Sequence, residues 1–511
     1  MNIKQVKEEL RHTIQAYTKK NEFGEYEIPF VRQRPMLIIG PPGIGKTAIM
    51  SQVARECHVA LVSYTITHHT RQSAIGLPFI EKKNYGGREY NITEYTMSEI
   101  VASIYDKMEE TGMKEGILFI DEINCVSETL APTMLQFLQG KTFGNHRIPE
   151  GWVIVSAGNP PEYNQSVREF DIVTLDRVRR IDVEPDFSVW KSYAYDNNIH
   201  GAIISYLDIK KENFYSVETT VDGKQIVTAR GWEDLSELMH LYEELNIPVT
   251  EDVISQYIQN PRIAKDFANY FDLYKKYRTD YDVDAVVEGR IKEVSIGRIQ
   301  KASFDEKLSV INLLVSKLVA VFRETFGYDR YVRDLYECMK ELKFVMGRKD
   351  SGRSSAEIIG EKIDQAQAQL KLAQKQGLYD EEQLRSSRLV IRTLERYRRD
   401  VLDQKMDDPA AAFEYIKGQF AADTKTRQEM IVHAKQCLEN AFAFMETAFG
   451  ESQEMVIFIT QLNASAICLR FIRENGSEKY DKYNRSLLFN EKREELLKDI
   501  DETMRFADVL K

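Results

Sequence analysis

Residues Gly40, Pro41, Pro42, Gly43, Ile44, Gly45, Lys46 and Thr47 spell G-x-x-x-x-G-K-T between an apolar, strand-like Pro35–Ile39 and a helix-like Ala48–Cys57. That order constrains the fold more than any other feature of the chain, because such a loop turns a strand directly into a helix at the edge of a parallel sheet. Its glycines let the backbone turn back so that successive N–H groups face one phosphate, and the following helix adds the positive end of its dipole. In such a loop Lys46 reaches the β- and γ-phosphates of ATP, and the Thr47 hydroxyl holds Mg²⁺.

Two further runs fit the same chemistry. Gly116-Ile-Leu-Phe-Ile120 reads as a buried strand ending in Asp121 and Glu122. There Asp121 completes the Mg²⁺ shell, and Glu122 is placed to polarise a water for in-line attack on the γ-phosphate. A kinase would instead exclude water and hold an acceptor substrate. The third run, Trp152-Val-Ile-Val-Ser156-Ala-Gly-Asn159-Pro160-Pro161, ends a strand in an amide that can orient the attacking water or touch the γ-phosphate. Read alone, it is ordinary turn chemistry.

Proline divides the chain. Of 13 prolines, 12 lie between Pro29 and Pro261, so long helices are expected in the second half. In the first half, short apolar runs at Met36–Ile39, Ala60–Tyr64, Gly116–Ile120, Trp152–Ser156 and Arg180–Val183 alternate with helical patterns. This predicts an α/β domain, a parallel sheet with helices on both faces, over residues 1–185. Trp232, Leu235, Leu238, Met239 and Tyr242 then form one helical stripe, and a small helical lid is expected over 186–284. An all-α C-terminal domain follows over 285–511. Within it, Ser354 with Glu357 and Asp380 with Gln383 read as helix starts and Gly377 as a stop, which gives an antiparallel helical hairpin near 354–406. The seam of that hairpin fits either bundle core or a projecting arm.

The three constellations together resemble an AAA+ ATPase: Walker A at Gly40–Thr47, the Asp-Glu form of Walker B at Asp121 and Glu122, and a sensor-1 Asn159. More narrowly, Asp121-Glu-Ile-Asn124, Ser156-Ala-Gly-Asn-Pro-Pro161 and Leu175-Asp-Arg177 look like the MoxR branch, whose β-hairpin before sensor 1 corresponds to Gly140–Gly151. The likeness covers about the first 250 residues. It implies a P-loop AAA+ fold that works as a self-assembled ring, a hexamer, with Arg177 as the finger that reaches the neighbouring subunit's nucleotide. Arg168, Arg179 and Arg180 remain alternatives. It further implies that Arg230, in Thr228-Ala-Arg230-Gly-Trp232, is the sensor-2 arginine, and that hydrolysis remodels or matures a client protein, often with a von Willebrand factor A domain partner. The sequence departs from that branch at Thr65–Pro78 and in the Phe79–Asn91 insert, which reads as a client-gripping loop.

Composition prunes the alternatives. With Lys+Arg 69 against Asp+Glu 80 and a net charge of -11, a nucleic-acid motor or loader is the second reading rather than the first. A nucleotide-gated interaction platform is the third. No span suits a bilayer, since Gln461, Asn463 and Ser465 interrupt the most apolar stretch, and the charged start lacks a signal-peptide core. A cytoplasmic protein is expected. Cys57, Cys125, Cys338, Cys437 and Cys468 contain no C-x-x-C pair, which fits reduced thiols rather than a zinc site. Adjacent His68 and His69 would diverge in an extended chain, so no metal is expected there.

Overall fold

A computed structural model describes residues 1–68, 74, 76–127, 129–143, 145–163, 170, 172–220, 223–347, 353–485 and 487. The strands among them are β1 (Met36–Ile39), β2 (Ala60–Thr65), β3 (Pro78–Tyr85), β4 (Arg88–Tyr95), β5 (Gly116–Asp121), β6 (Thr142–Phe143), β7 (His146–Arg147), β8 (Trp152–Gly158), β9 (Arg179–Asp182), β10 (Ser216–Thr220) and β11 (Gly223–Val227). Five of these form one parallel sheet in the order β2-β5-β8-β1-β9, and the other six pair as three hairpins. The expected strands are all present. β5 extends to Asp121 and β8 to Gly158, while β9 starts one residue earlier than its apolar pattern suggests.

The central strands carry continuous apolar runs because both of their faces are covered. On one face Leu37, Val62, Leu118, Ile120 and Ile154 pack with Ile100, Val101 and Ile104 of the helix Glu99–Thr111 and with Phe137 and Leu138 of the helix Ala131–Gly140. Alternation turns Met36, Ile38, Ile117, Phe119, Val153 and Val155 to the opposite face, where α2 (Lys46–Cys57) lies against β2 and β5. Outside α2 packs α1 (Ile3–Thr18), which Asn2 and Gln5 cap reciprocally with two 3.0 Å hydrogen bonds. Val6, Leu10 and Ile14 of α1 are buried, each stabilising by roughly 1.5–3 kcal/mol. At the sheet's bottom edge, a Cβ on Gly116 would stand 2.6 Å from the Trp152 ring on the neighbouring strand, so the large indole fits only because residue 116 is glycine.

Two compact units emerge. The first comprises Met1–Val189, Thr228–Arg230 and Gly360–Glu395; the second comprises Trp190–Val227, Gly231–Ile359 and Arg396–Lys511. The second is built on the 43-residue helix Phe304–Met346 and the 41-residue helix Pro409–Phe449, with the β10–β11 hairpin as its sheet component among the described residues. Trp232, Leu235 and Met239 of the predicted stripe are fully buried there. Phe322 stacks on Phe471 with ring centroids 4.0 Å apart. The apolar stretch near Met455 is split between the helices Gln453–Ala464 and Ala466–Asn475, which meet at 93°. Among the described residues, no single helix is long and apolar enough to cross a membrane.

The stretch read as a hairpin folds as two helices, Ser355–Gln376 and Glu381–Asp403. Both reciprocal caps form: Ser354 with Glu357 at 2.8 and 3.3 Å, and Asp380 with Gln383 at 2.8 and 2.7 Å. Gly377 supplies the stop at φ +67°. Gly360–Glu395 belong to the first unit, where Lys107 donates to the Lys375 carbonyl at 2.6 Å and Gln376 to the Thr111 carbonyl at 2.9 Å.

Candidate nucleotide site

At the carboxyl end of β1 the chain enters the glycine loop with Gly40 N–H bonded to the Gly158 carbonyl at 3.2 Å. Gly43 and Gly45 hold φ of +72° and +91°, which side chains with a Cβ rarely adopt. A Cβ on Gly43 would also stand 2.7 Å from Thr228, because the Arg230 N–H reaches back to the Gly43 carbonyl at 3.1 Å. Gly45 caps α2 without a side-chain hydrogen bond, so the first-turn amides of α2 are presented at the mouth of the loop.

Lys46 is 8% exposed, and its ammonium donates to the Gly40 carbonyl at 2.6 Å, the Pro41 carbonyl at 2.9 Å and Asn159 Oδ1 at 2.9 Å. Its three donors are thus held by the oxygens that ring the anion site. Burial pushes the group down to about 8; Asp121 and Glu122 oppose the shift and Arg230 adds to it. Two pH trends of opposite sign follow. The ammonium is the form that attracts phosphate, so nucleotide affinity should be level below pH 8 and fall by up to about tenfold per pH unit above it. Stability of the nucleotide-free protein should instead rise between pH 8 and 10.5, because there the unfolded chain holds a proton that the folded lysine has lost. Calorimetric titration of ATP from pH 7 to 9.5 tests the first trend, and an affinity that does not change across that range would show that Lys46 keeps its proton throughout it.

In the first turn of α2, the Thr47 hydroxyl donates to Asp121 Oδ2 at 2.9 Å. An alcohol oxygen and a carboxylate oxygen in contact, with Thr47 open to solvent, form a hard-oxygen donor pair with room for waters, which is the environment Mg²⁺ requires. The next residue, Glu122, sits at φ +56°, a left-handed conformation costly for a non-glycine residue. Its N–H bonds Asp121 Oδ1 at 2.9 Å, and the Ile123 N–H bonds the Ala157 carbonyl at 2.9 Å, which fixes the turn. The Glu122 carboxylate accepts from Thr67 Oγ1 at 3.2 Å.

Asn124 completes the arrangement. It is 5% exposed, donates to the Asn159 carbonyl at 2.7 Å and accepts from the Asn159 N–H at 3.3 Å. A Cβ on Gly158 would stand 2.5 Å from Asn124 Oδ1, so glycine at 158 makes the space that Asn124 occupies. Asn124 therefore ties the tip of β8 to the turn after β5 and fixes where the Asn159 side chain meets Lys46. A cavity of about 900 Å³ opens alongside, bounded by Gly40, Pro41, Asn124 and Asn159.

Lys46, Thr47, Asp121, Glu122, Asn159 and the backbone of Arg230 are thus linked around the glycine loop. Residues 36–175 match the family model described as "ATPase family associated with various cellular activities (AAA)". The chain carries an AAA domain. A point mutant of Thermotoga maritima RuvB is similar in structure, with a TM-score of 0.27 and 16% sequence identity over 51% of this chain and 69% of that chain. No curated protein matches the sequence.

Just beyond the matched segment, the candidate finger arginines Arg177, Arg179 and Arg180 differ in their surroundings. Arg177 ends the short helix Ile172–Arg177, is exposed and donates to Gln139. Arg179 is bound to Glu9 and, at 2.7 Å, to Thr13 of α1, and Arg180 pairs with Asp182 at 2.8 Å. Arg168 lies outside the described residues, as do His69 and the side chain of His68. The hairpin read at Gly140–Gly151 is β6–β7, and the Phe79–Asn91 insert lies within the longer β3–β4 hairpin, where Phe79, Ile80, Tyr85 and Tyr90 are exposed. Sequence reading had not assigned roles to Thr67 or Asn124. The available signals were an amide two residues beyond the acidic pair and a glycine immediately before Asn159.

Proposed function

We propose that this chain is a MoxR-like AAA+ ATPase that hydrolyses ATP with Mg²⁺ and uses the energy to remodel or mature a partner protein. The observation that carries the reading is the hydrogen-bonded constellation in which Lys46, Thr47, Asp121 and Asn159 meet at the glycine loop with Glu122 beside them. Bound Mg²⁺ supplies charge neutralisation on the phosphates, and Thr47 and Asp121 are the residues that would hold it. Lys46 exchanges its loop carbonyls for phosphate oxygens. Glu122 takes the proton of the attacking water, and Asn159, freed from Lys46, orients that water. Arg230 senses the nucleotide: its N–H already bonds the loop, and its charge already bears on Lys46.

The β6–β7 hairpin directly before β8 supports the MoxR branch over other AAA+ proteins. The exposed Arg177, which donates to Gln139, supports a ring, a hexamer of this chain, in which its guanidinium reaches the next subunit's nucleotide. Free thiols at all five cysteines fit work in a reducing cytoplasm. The test is affinity capture from native cytosol with the ATP-trapped Glu122→Gln protein, compared with Lys46→Ala. Retention of a defined client, or of a von Willebrand factor A domain protein, only in the trapped state is expected. Nuclease-sensitive capture, together with DNA-stimulated turnover at moderate salt, would replace this reading with the nucleic-acid motor.

A further inference from the structure

Within the second unit, the helix Pro409–Phe449 and the end of the short helix Val283–Val287 bring together three metal-ligating side chains from different parts of the sequence. His433 Nε2 lies 3.1 Å from Glu288 Oε1 and 3.6 Å from Cys437 Sγ, and the three ligand atoms all fall within 4.8 Å of one another. Two ligands held 2.0–2.3 Å from a tetrahedral ion stand roughly 3.3–3.6 Å apart, so the His–Glu and His–Cys separations are close to the edges of a tetrahedron around one metal. His433 and Cys437, one turn apart, share a helix face.

The Glu288 arm is held independently. Asn440, one further turn along the same face, donates to the Val287 carbonyl at 2.8 Å, and the Glu288 and Gly289 amides close the helix end on Asp284 and Val286 at 3.3 and 3.0 Å. Gly289 has φ +79°, and a Cβ there would stand 3.0 Å from Asn440 Nδ2, so the turn that presents Glu288 requires glycine. Cys437 is 1% exposed, whereas the His433 and Glu288 side chains are 51% and 44% exposed. An ion here would have a buried thiolate on one side and solvent on the other.

We propose that Glu288, His433 and Cys437 form a transition-metal site, with zinc(II) as the ion favoured by one sulfur, one imidazole and one carboxylate ligand, and with a fourth position open to water or an incoming ligand. The two arms lie 145 residues apart in sequence, which is why cysteine spacing gave no sign of the site. The metal fastens the helix Pro409–Phe449 to the Val283–Val287 segment, in place of an ordinary His–Glu ion pair.

The test uses the full chain, stripped of metal with a chelator, without nucleotide, and titrated with cobalt(II). One equivalent should bind with a near-ultraviolet thiolate-to-cobalt charge-transfer band and tetrahedral d–d bands, and zinc(II) should displace it. Cys437→Ser should abolish the charge-transfer band. Because Cys437 is buried, the half-exposed His433→Asn serves as the variant that keeps its fold; it should weaken binding about 100-fold or more, beyond the cost of losing an outer-shell partner. Zinc should also raise the unfolding midpoint of the parent and not that of His433→Asn. Absence of the charge-transfer band in the parent, its persistence in Cys437→Ser, or an unchanged cobalt affinity in His433→Asn would overturn the proposal.

Discussion

Glu122→Gln should retain ATP binding and ring assembly while lowering turnover at least ~100-fold, the scale on which a positioned general base contributes. The substitution is close to isosteric, so the left-handed backbone at φ +56° and the contact from Thr67 can both persist, with the amide oxygen accepting in place of the carboxylate. Asp121 and Thr47, which would hold the metal, are untouched. What is lost is a carboxylate that can take a proton from water: Glu122 accepts from Thr67 at one oxygen, whereas both oxygens of Asp121 are engaged, by Thr47 and by the Glu122 N–H. Phosphate release and nucleotide binding measured on the same preparation check this. Turnover close to that of the parent would remove Glu122 from the mechanism.

Arg177→Ala should cost turnover about 10³-fold or more, the range for an arginine that stabilises charge on a transferring phosphoryl group. Negative charge builds on the γ-phosphoryl oxygens, and Lys46 alone does not balance it. Arg179 is engaged at the junction with α1 through Glu9 and Thr13, and Arg180 is paired with Asp182, so each already has a carboxylate partner within its own subunit. Arg177 is exposed at a helix end, held only through the side chain of Gln139 among the hydrogen bonds described for it. A residue that acts in trans makes a sharper forecast: mixing Arg177→Ala subunits with Lys46→Ala subunits should restore part of the activity, because an intact loop then meets an intact finger at some interfaces. Mixed assemblies with no recovered turnover would count against the trans assignment. Arg179→Ala, in the same assay, should act through the stability of the first unit rather than through turnover per folded subunit.

The candidate nucleotide site is legible in the sequence because its parts are local. Gly40 to Thr47 contain both the residues that make the turn and those proposed to face a phosphate, and a strand ending in Asp121 and Glu122 carries its carboxylates at its own tip. The sheet was legible for the same reason: strands buried on both faces, such as β5 and β8, are continuous apolar runs bounded by polar ends. Helix caps were also readable from a few adjacent residues, as the reciprocal bonds of Ser354 with Glu357 and Asp380 with Gln383 attest.

What the tertiary structure alone decided depends on residues distant in sequence. Only the sheet order brings Asn124 under Gly158 and so fixes Asn159 against Lys46 across 113 residues. Thr228 and Arg230 press on Gly43 from beyond the sheet, which no local pattern announces. The stripe over 354–406 reads first as bundle core and only second as a projecting arm, and its Gly360–Glu395 portion belongs with the α/β unit, through contacts such as Gln376 with Thr111. Glu288 meets His433 and Cys437 only because two helices pack. Periodicity and turn chemistry act over one or two turns of chain, so they specify elements and loops. Which loop faces which is decided by packing, where the partners are set by buried area and hydrogen-bond satisfaction across the whole fold.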